Sequence, residues 1–122
     1  MSPPPKILEI NTWTWLKALS AKYQREISLK TLPFDELEAI LQDFHVDYVW
    51  FMGVWTRSPA SREIACSHPG LIDEFQVAKP DYKGSDVVGS PYAVHAYQVD
   101  PKLGGEQGLK QVLKIYLQNL IL

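Results

Sequence analysis

Val46-Asp47-Tyr48-Val49-Trp50-Phe51-Met52-Gly53-Val54 is the stretch on which the reading of the fold turns. Aromatic and β-branched residues dominate it, which suits a pleated strand. It reads as a strand that is apolar on both faces, as in a parallel sheet covered by helices. Just upstream, Leu37, Ile40, Leu41 and Phe44 recur at i, i+3, i+4 and i+7, the pattern of a one-sided amphipathic helix. Pro33, Asp35 and Glu36 fall in its first turn, where the helix dipole favours acids, and His45 ends it. Further upstream, Ile7-Leu8-Glu9-Ile10-Asn11 reads as a second short strand. Strand, helix, strand predicts a parallel pair joined by a right-handed crossover.

Between the two strands, Asn11 or Thr12 can cap a short helix with Trp13, Trp15, Leu16 and Leu19 on one face. Ser20 to Thr31 is mixed and polar and reads as a connection. Met1 to Lys6, with Pro3, Pro4 and Pro5, reads as an extended lead-in. Downstream, Trp55 to Asp100 is long and irregular, with short helices around Ala60–Ser67 and Leu71–Phe75. A loop of that length is uncommon unless functional or disordered. Gly104-Gly105-Glu106 then opens a helix with Leu109, Val112, Leu113, Tyr116 and Leu120 at helical spacing and Asn119 at its end. Leu120-Ile121-Leu122 reads as the first residues of a further strand.

Twelve Lys and Arg stand against fourteen Asp and Glu, a formal net charge of -2. That balance lacks the basic stripe of a nucleic-acid binder and the polybasic cluster of an anionic membrane binder. No apolar run approaches the ~20 residues of a membrane span. The start carries no signal-peptide pattern, so a cytoplasmic location is expected. Cys66 is the sole cysteine, which excludes an internal disulfide and a cysteine-based zinc site; it reads as an inert thiol. His45, His68 and His95 show no metal-binding spacing, so no metal is expected. Gly104-Gly105 lacks both the dinucleotide fingerprint and the phosphate-loop lysine pattern, and no cofactor is expected.

Ile10-Asn11-Thr12 after a strand resembles the first barrel strand of the α-amylase superfamily, commonly Y-E-I-N-T. Asp47-Tyr48-Val49-Trp50-Phe51-Met52-Gly53-Val54-Trp55 resembles that family's second strand, D-x-V-W-L-M-G-V-W. Arg57-Ser58-Pro59-Ala60, followed by Gly89-Ser90-Pro91-Tyr92-Ala93-Val94, resembles the loop that brings a substrate-facing tyrosine to the pocket. Tyr97-Gln98-Val99-Asp100-Pro101-Lys102-Leu103-Gly104-Gly105 resembles the Y-x-V-D-P-x-L-G-G stretch before the second barrel helix. The pieces run in the expected order from about Ile7 to Leu122.

The resemblance implies an α/β fold: an incomplete (β/α) TIM-barrel segment of about two strands plus helices and the start of a third strand. It implies a retaining glycosidase or transglycosylase acting on an α-linked sugar substrate, an α-glucan or α-glucoside, in the intact parent enzyme. Such enzymes set two carboxyl groups about 5–5.5 Å apart across the scissile bond. The resemblance puts the family's carboxylates on its fourth, fifth and seventh strands, so no catalytic residue is assigned here and this chain alone is expected to be inactive. Tyr92 is the foremost candidate for substrate contact, an aromatic face suiting a pyranose ring. Trp55, just past the second strand, and Arg57 are the other candidates. Asp47 and Asp100 read as turn or capping residues and Trp50 as core. Two strands and part of a third cannot close a barrel. Open edges and bare strand faces should make the chain poorly stable alone, and the remaining barrel segment is the expected partner. The alternatives are a small sugar-binding or interaction module that pairs with another chain, and an unrelated small α/β domain.

Overall fold

The strand read at 46–54 is shorter in the structure, covering 48–52, and a separate short strand of a second sheet begins just past it at Trp55. The computed structural model describes residues 2–116 and 120–121. The elements are β1 (Ile7–Asn11), α1 (Thr12–Tyr23), α2 (Phe34–Phe44), β2 (Tyr48–Met52), β3 (Trp55–Arg57), α3 (Pro59–Ser67), α4 (Pro69–Ala78), β4 (Val94–Val99), α5 (Gly105–Tyr116) and β5 (Leu120–Ile121). Gly53, at φ +80°, ends β2, because few residues with a Cβ continue through that conformation. The chain divides into two units, residues 1–54 with 98–122 and residues 55–97.

In the first unit β1 pairs in parallel with β2, with Ile7 opposite Tyr48, Glu9 opposite Trp50 and Asn11 opposite Met52. On its other edge β2 pairs in parallel with β5, Val49 opposite Leu120 and Trp50 opposite Ile121. The strands therefore lie in the order β1-β2-β5, the order in which the chain makes them.

Alternation along the strands sorts side chains onto two faces. One face is core: Ile10, Val49 and Phe51 are buried, and the Trp15 ring of α1 stacks on Phe51 at 6.2 Å. Leu16 and Leu19 of the same helix are buried with them. On the opposite face Ile7 is 51% exposed, Glu9, Asn11 and Tyr48 are exposed, Trp50 is half-buried, and Met52 is buried. The expectation that this strand is covered on both faces is thus corrected: one face is sheltered by helix and the other is largely bare. Phe44, read as part of the buried stripe of α2, is also exposed, whereas Leu37 is fully buried.

Asn11 caps α1 by accepting from the Thr14 amide, and Asp47 staples the strand starts by accepting from the Lys6 amide at 2.7 Å, the turn role read for it. The polar connection read at Ser20–Thr31 holds from Gln24 to Thr31 and is corrected at its start and in its polarity. Ser20–Tyr23 continue α1, and Ile27 and Leu29 are buried. The Leu29 amide donates to the Leu103 carbonyl at 2.8 Å. Gly104 and Gly108 lie against the backbone of Leu29 and Lys30, so these glycines serve close packing. In α5, Leu109 and Val112 are buried as the periodicity predicts. The side chains of Tyr116 and Leu120, and Asn119 as helix end, lie outside the described residues.

Glu36 joins α1 to α2 by accepting from Lys22 Nζ and from the Tyr23 hydroxyl at 2.6 Å. The Lys22 and Tyr23 hydrogen bonds hold its carboxyl below the usual glutamate range. That contribution is present above the ordinary pKa of about 4.3 and is lost as pH falls through the lowered folded value. The Glu36 bond raises the Tyr23 hydroxyl, so the tyrosine's contribution is present below its ordinary pKa of about 10 and is lost as pH rises through the raised value. Helical circular dichroism at fixed temperature should therefore be level at neutral pH and fall on both sides. Glu36→Gln should weaken the acid limb and Tyr23→Phe the alkaline one.

In the second unit β3 and β4 form a two-stranded sheet, extended by the Ser58 amide donating to the Ala93 carbonyl at 2.7 Å. α3 begins at Pro59 with Ser58 as cap, and α4 begins at Pro69 with His68 Nδ1 accepting from the Leu71 amide. Both helices fall where the sequence places short helices. Neither contains a buried residue. The strand β4 was not read from the sequence. Back in the first unit, Asp100 caps the turn at Pro101–Leu103, the role expected of it.

Candidate functional site

Tyr92, Trp55 and Arg57 all belong to the unit of residues 55–97. Trp55 opens β3 and Arg57 closes it. Residues two apart on a strand share a face, so the two side chains leave the strand on the same side. Both are half-buried. Trp55 meets the Tyr97 ring of β4 edge to face, with centroids 5.6 Å apart and planes at 78°. Tyr97 is 79% exposed, so most of its ring surface stays open to solvent. Arg57 turns to the chain itself: its Nη1 donates to the Gly89 carbonyl at 2.9 Å. That is a loop-ordering role in addition to any contact with substrate.

Tyr92 lies in the loop before β4 and is 76% exposed. Its amide donates to Ser90 Oγ at 3.2 Å, a short turn that sets the backbone and leaves the ring open. The structure thus brings Trp55 to Tyr97 and Arg57 to Gly89, while the Tyr92 ring stands open on the loop between them in sequence. Tyr97 and Arg62 are the members of this neighbourhood that the sequence reading missed. Tyr97 carried a signal, since it lies in the quoted Y-x-V-D-P stretch. Arg62, which donates to backbone carbonyls, carried none.

Among the described residues, no group of three or more His, Cys, Asp or Glu is gathered that could hold a metal ion. Two of the carboxylates have structural partners. Asp86 pairs with Lys79 at 3.0 Å and accepts from the Lys83 amide, and Asp100 Oδ1 accepts from the Lys102 amide. The Asp86 bond raises the Lys79 ammonium above its usual range. Among the described residues no helix is long and apolar enough to cross a membrane. What the unit offers chemically is exposed aromatic surface beside a loop fixed by arginine. Such surface can stack on the apolar face of a sugar ring. Comparison with known protein families, with characterised proteins and with solved structures gives no match for this chain.

Proposed function

We propose that this chain is the opening part of an α-amylase-type (β/α) barrel, and that Tyr92 and Trp55 meet an α-linked glucan in the complete enzyme. The observation that carries the reading is the largely bare face of the parallel sheet. Parallel sheets occur almost only with both faces covered. Here Ile7, Glu9, Asn11 and Tyr48 lie exposed on one side of β1 and β2. In a closed barrel that side is the interior, filled by side chains from the other strands. The order β1-β2-β5, without a reversal, fits a sheet that continues around a barrel. Residues 55–97 follow the carboxyl end of β2, the end where barrel enzymes carry their sites.

On this reading the chain contributes sugar-binding surface and no acid/base pair, so it turns over nothing by itself. Arg57 acts through the loop it holds. The test is a nuclear magnetic resonance titration with maltoheptaose. Trp55 and Tyr92 ring signals should shift, Tyr92→Ala should weaken the response, and no reducing sugar should be released. The same substitution should change stability by less than about 0.5 kcal/mol, because the ring is exposed. Ring signals that do not move with maltoheptaose, or that respond equally to a β-linked glucan, would rule the reading out.

A further inference from the structure

Residues 84–92 lead to Tyr92 through a unit in which Val87 is the one buried apolar side chain among the described residues. Apolar packing is too sparse to hold such a segment. Polar bonds hold it instead: the Lys79–Asp86 pair and the Lys83 amide at its start, and guanidinium groups along its length. Arg62, on α3, donates from Nε to the Val87 carbonyl at 2.7 Å and from Nη2 to the Gly84 carbonyl at 3.0 Å. Arg57 donates to the Gly89 carbonyl at 2.9 Å. Gly89 adopts φ +86°, and a Cβ placed there would stand 3.5 Å from the Arg62 Cβ and from its backbone nitrogen. The loop backbone therefore lies directly on α3 at Arg62. From Gly89 the chain passes to Ser90, whose hydroxyl accepts from the Tyr92 amide and whose carbonyl accepts from the Ala93 amide, each at 3.2 Å. The Ser58 hydroxyl caps α3 by accepting from the Ser61 amide at 3.3 Å, and the Ser58 amide bonds Ala93. Both ends of the segment are thus referred to the start of α3.

We infer that Arg62 is a positioning residue for Tyr92: its forked guanidinium bridges the Gly84 and Val87 carbonyls and fixes the base from which the tyrosine is presented. The functional meaning rests on the α-glucan reading, but the positioning is decided by separate measurements. Charge-assisted bonds are stronger than neutral ones. A guanidinium holds two carbonyls in a fixed geometry, which a lysine ammonium does not.

The experiment compares the 122-residue chain with Arg62→Gln and Arg62→Lys by amide hydrogen exchange and by the Tyr92 and Ala93 amide resonances. In both variants exchange across 84–93 should rise about tenfold, the loss of one or two charge-assisted bonds on a partly exposed surface. The Tyr92 and Ala93 amide resonances, set by the Ser90 turn, should move towards random-coil positions, while α5 and β2 exchange as before. Wild-type exchange in Arg62→Lys would show that a positive charge alone suffices and would overturn the inference. So would raised exchange with unmoved Tyr92 resonances, or a rise in α5 as large as in the loop. A maltoheptaose titration of the unsubstituted chain reads the sugar hypothesis alone, and failure there leaves the exchange result to judge the clamp.

Discussion

Phe51→Ala should cost about 3–5 kcal/mol, the range for truncating a fully buried phenylalanine. Phe51 is 0% exposed, lies on the central strand of the β1-β2-β5 sheet, and carries the Trp15 ring on its face. Its loss removes apolar contact from both the helix and the strand and leaves a void that the neighbouring β1 and β5 hydrogen bonds keep from collapsing. A small domain holds only about 5–15 kcal/mol in total, so a loss of this size is a large share of it and protection in this unit should fall steeply. Amide hydrogen exchange of β1 and β2 measures it. Phe44→Ala is the control with the same chemistry at a 59% exposed site, and it should shift exchange by less than about 0.5 kcal/mol. Equal effects at the two positions would mean the core lies elsewhere.

The second large effect is Gly104→Ala. Gly104 sits at φ +115°, where a Cβ is strained by about 1–3 kcal/mol. That Cβ would also stand 2.9 Å from the Lys30 nitrogen and 3.2 Å from the Leu29 nitrogen. These are backbone atoms, tied down by the Leu29 amide bond to the Leu103 carbonyl, so they cannot yield as a flexible side chain would. Overpacking of this kind adds about 1–3 kcal/mol. Exchange should rise at residues 27–31 and along α5. Gly105→Ala separates the two causes. It is also left-handed, at φ +63°, but nothing lies within 4 Å of its Cβ, so it should show the strain without the clash. A Gly105→Ala effect as large as that of Gly104→Ala would refute the close-approach account.

Where a side chain's burial is periodic, the sequence could be read. Leu37 on α2, Leu109 and Val112 on α5, and Leu16 and Leu19 on α1 repeat at helical spacing because one face of each helix is buried. Val49 and Phe51 were equally plain in an aromatic, β-branched run. What that run could not say is that only one side of the sheet is sheltered, since Tyr48 and Trp50 are large amphipathic aromatics that suit a buried or an exposed face. Ile27 and Leu29 were missed because two apolar residues among polar ones make no recognisable period. β4 was missed for a related reason: the strand alternates weakly, with His95 and Tyr97 exposed and only Val99 buried. In the candidate site, Tyr92, Trp55 and Arg57 were named through resemblance to a family motif. Arg62 could not be, because its partners are carbonyls 22 and 25 residues away, and a carbonyl is common to every residue type.

The most direct test of the proposal that this sheet is continued by further strands is a thermal scan of the purified chain by near- and far-ultraviolet circular dichroism. A sheet with one face largely bare should melt gradually, with a weak near-ultraviolet tryptophan signal that fades before the helical signal does. A single sharp transition, coincident in both regions and preceded by a strong tryptophan signal, would mark a self-sufficient packed domain and contradict the claim.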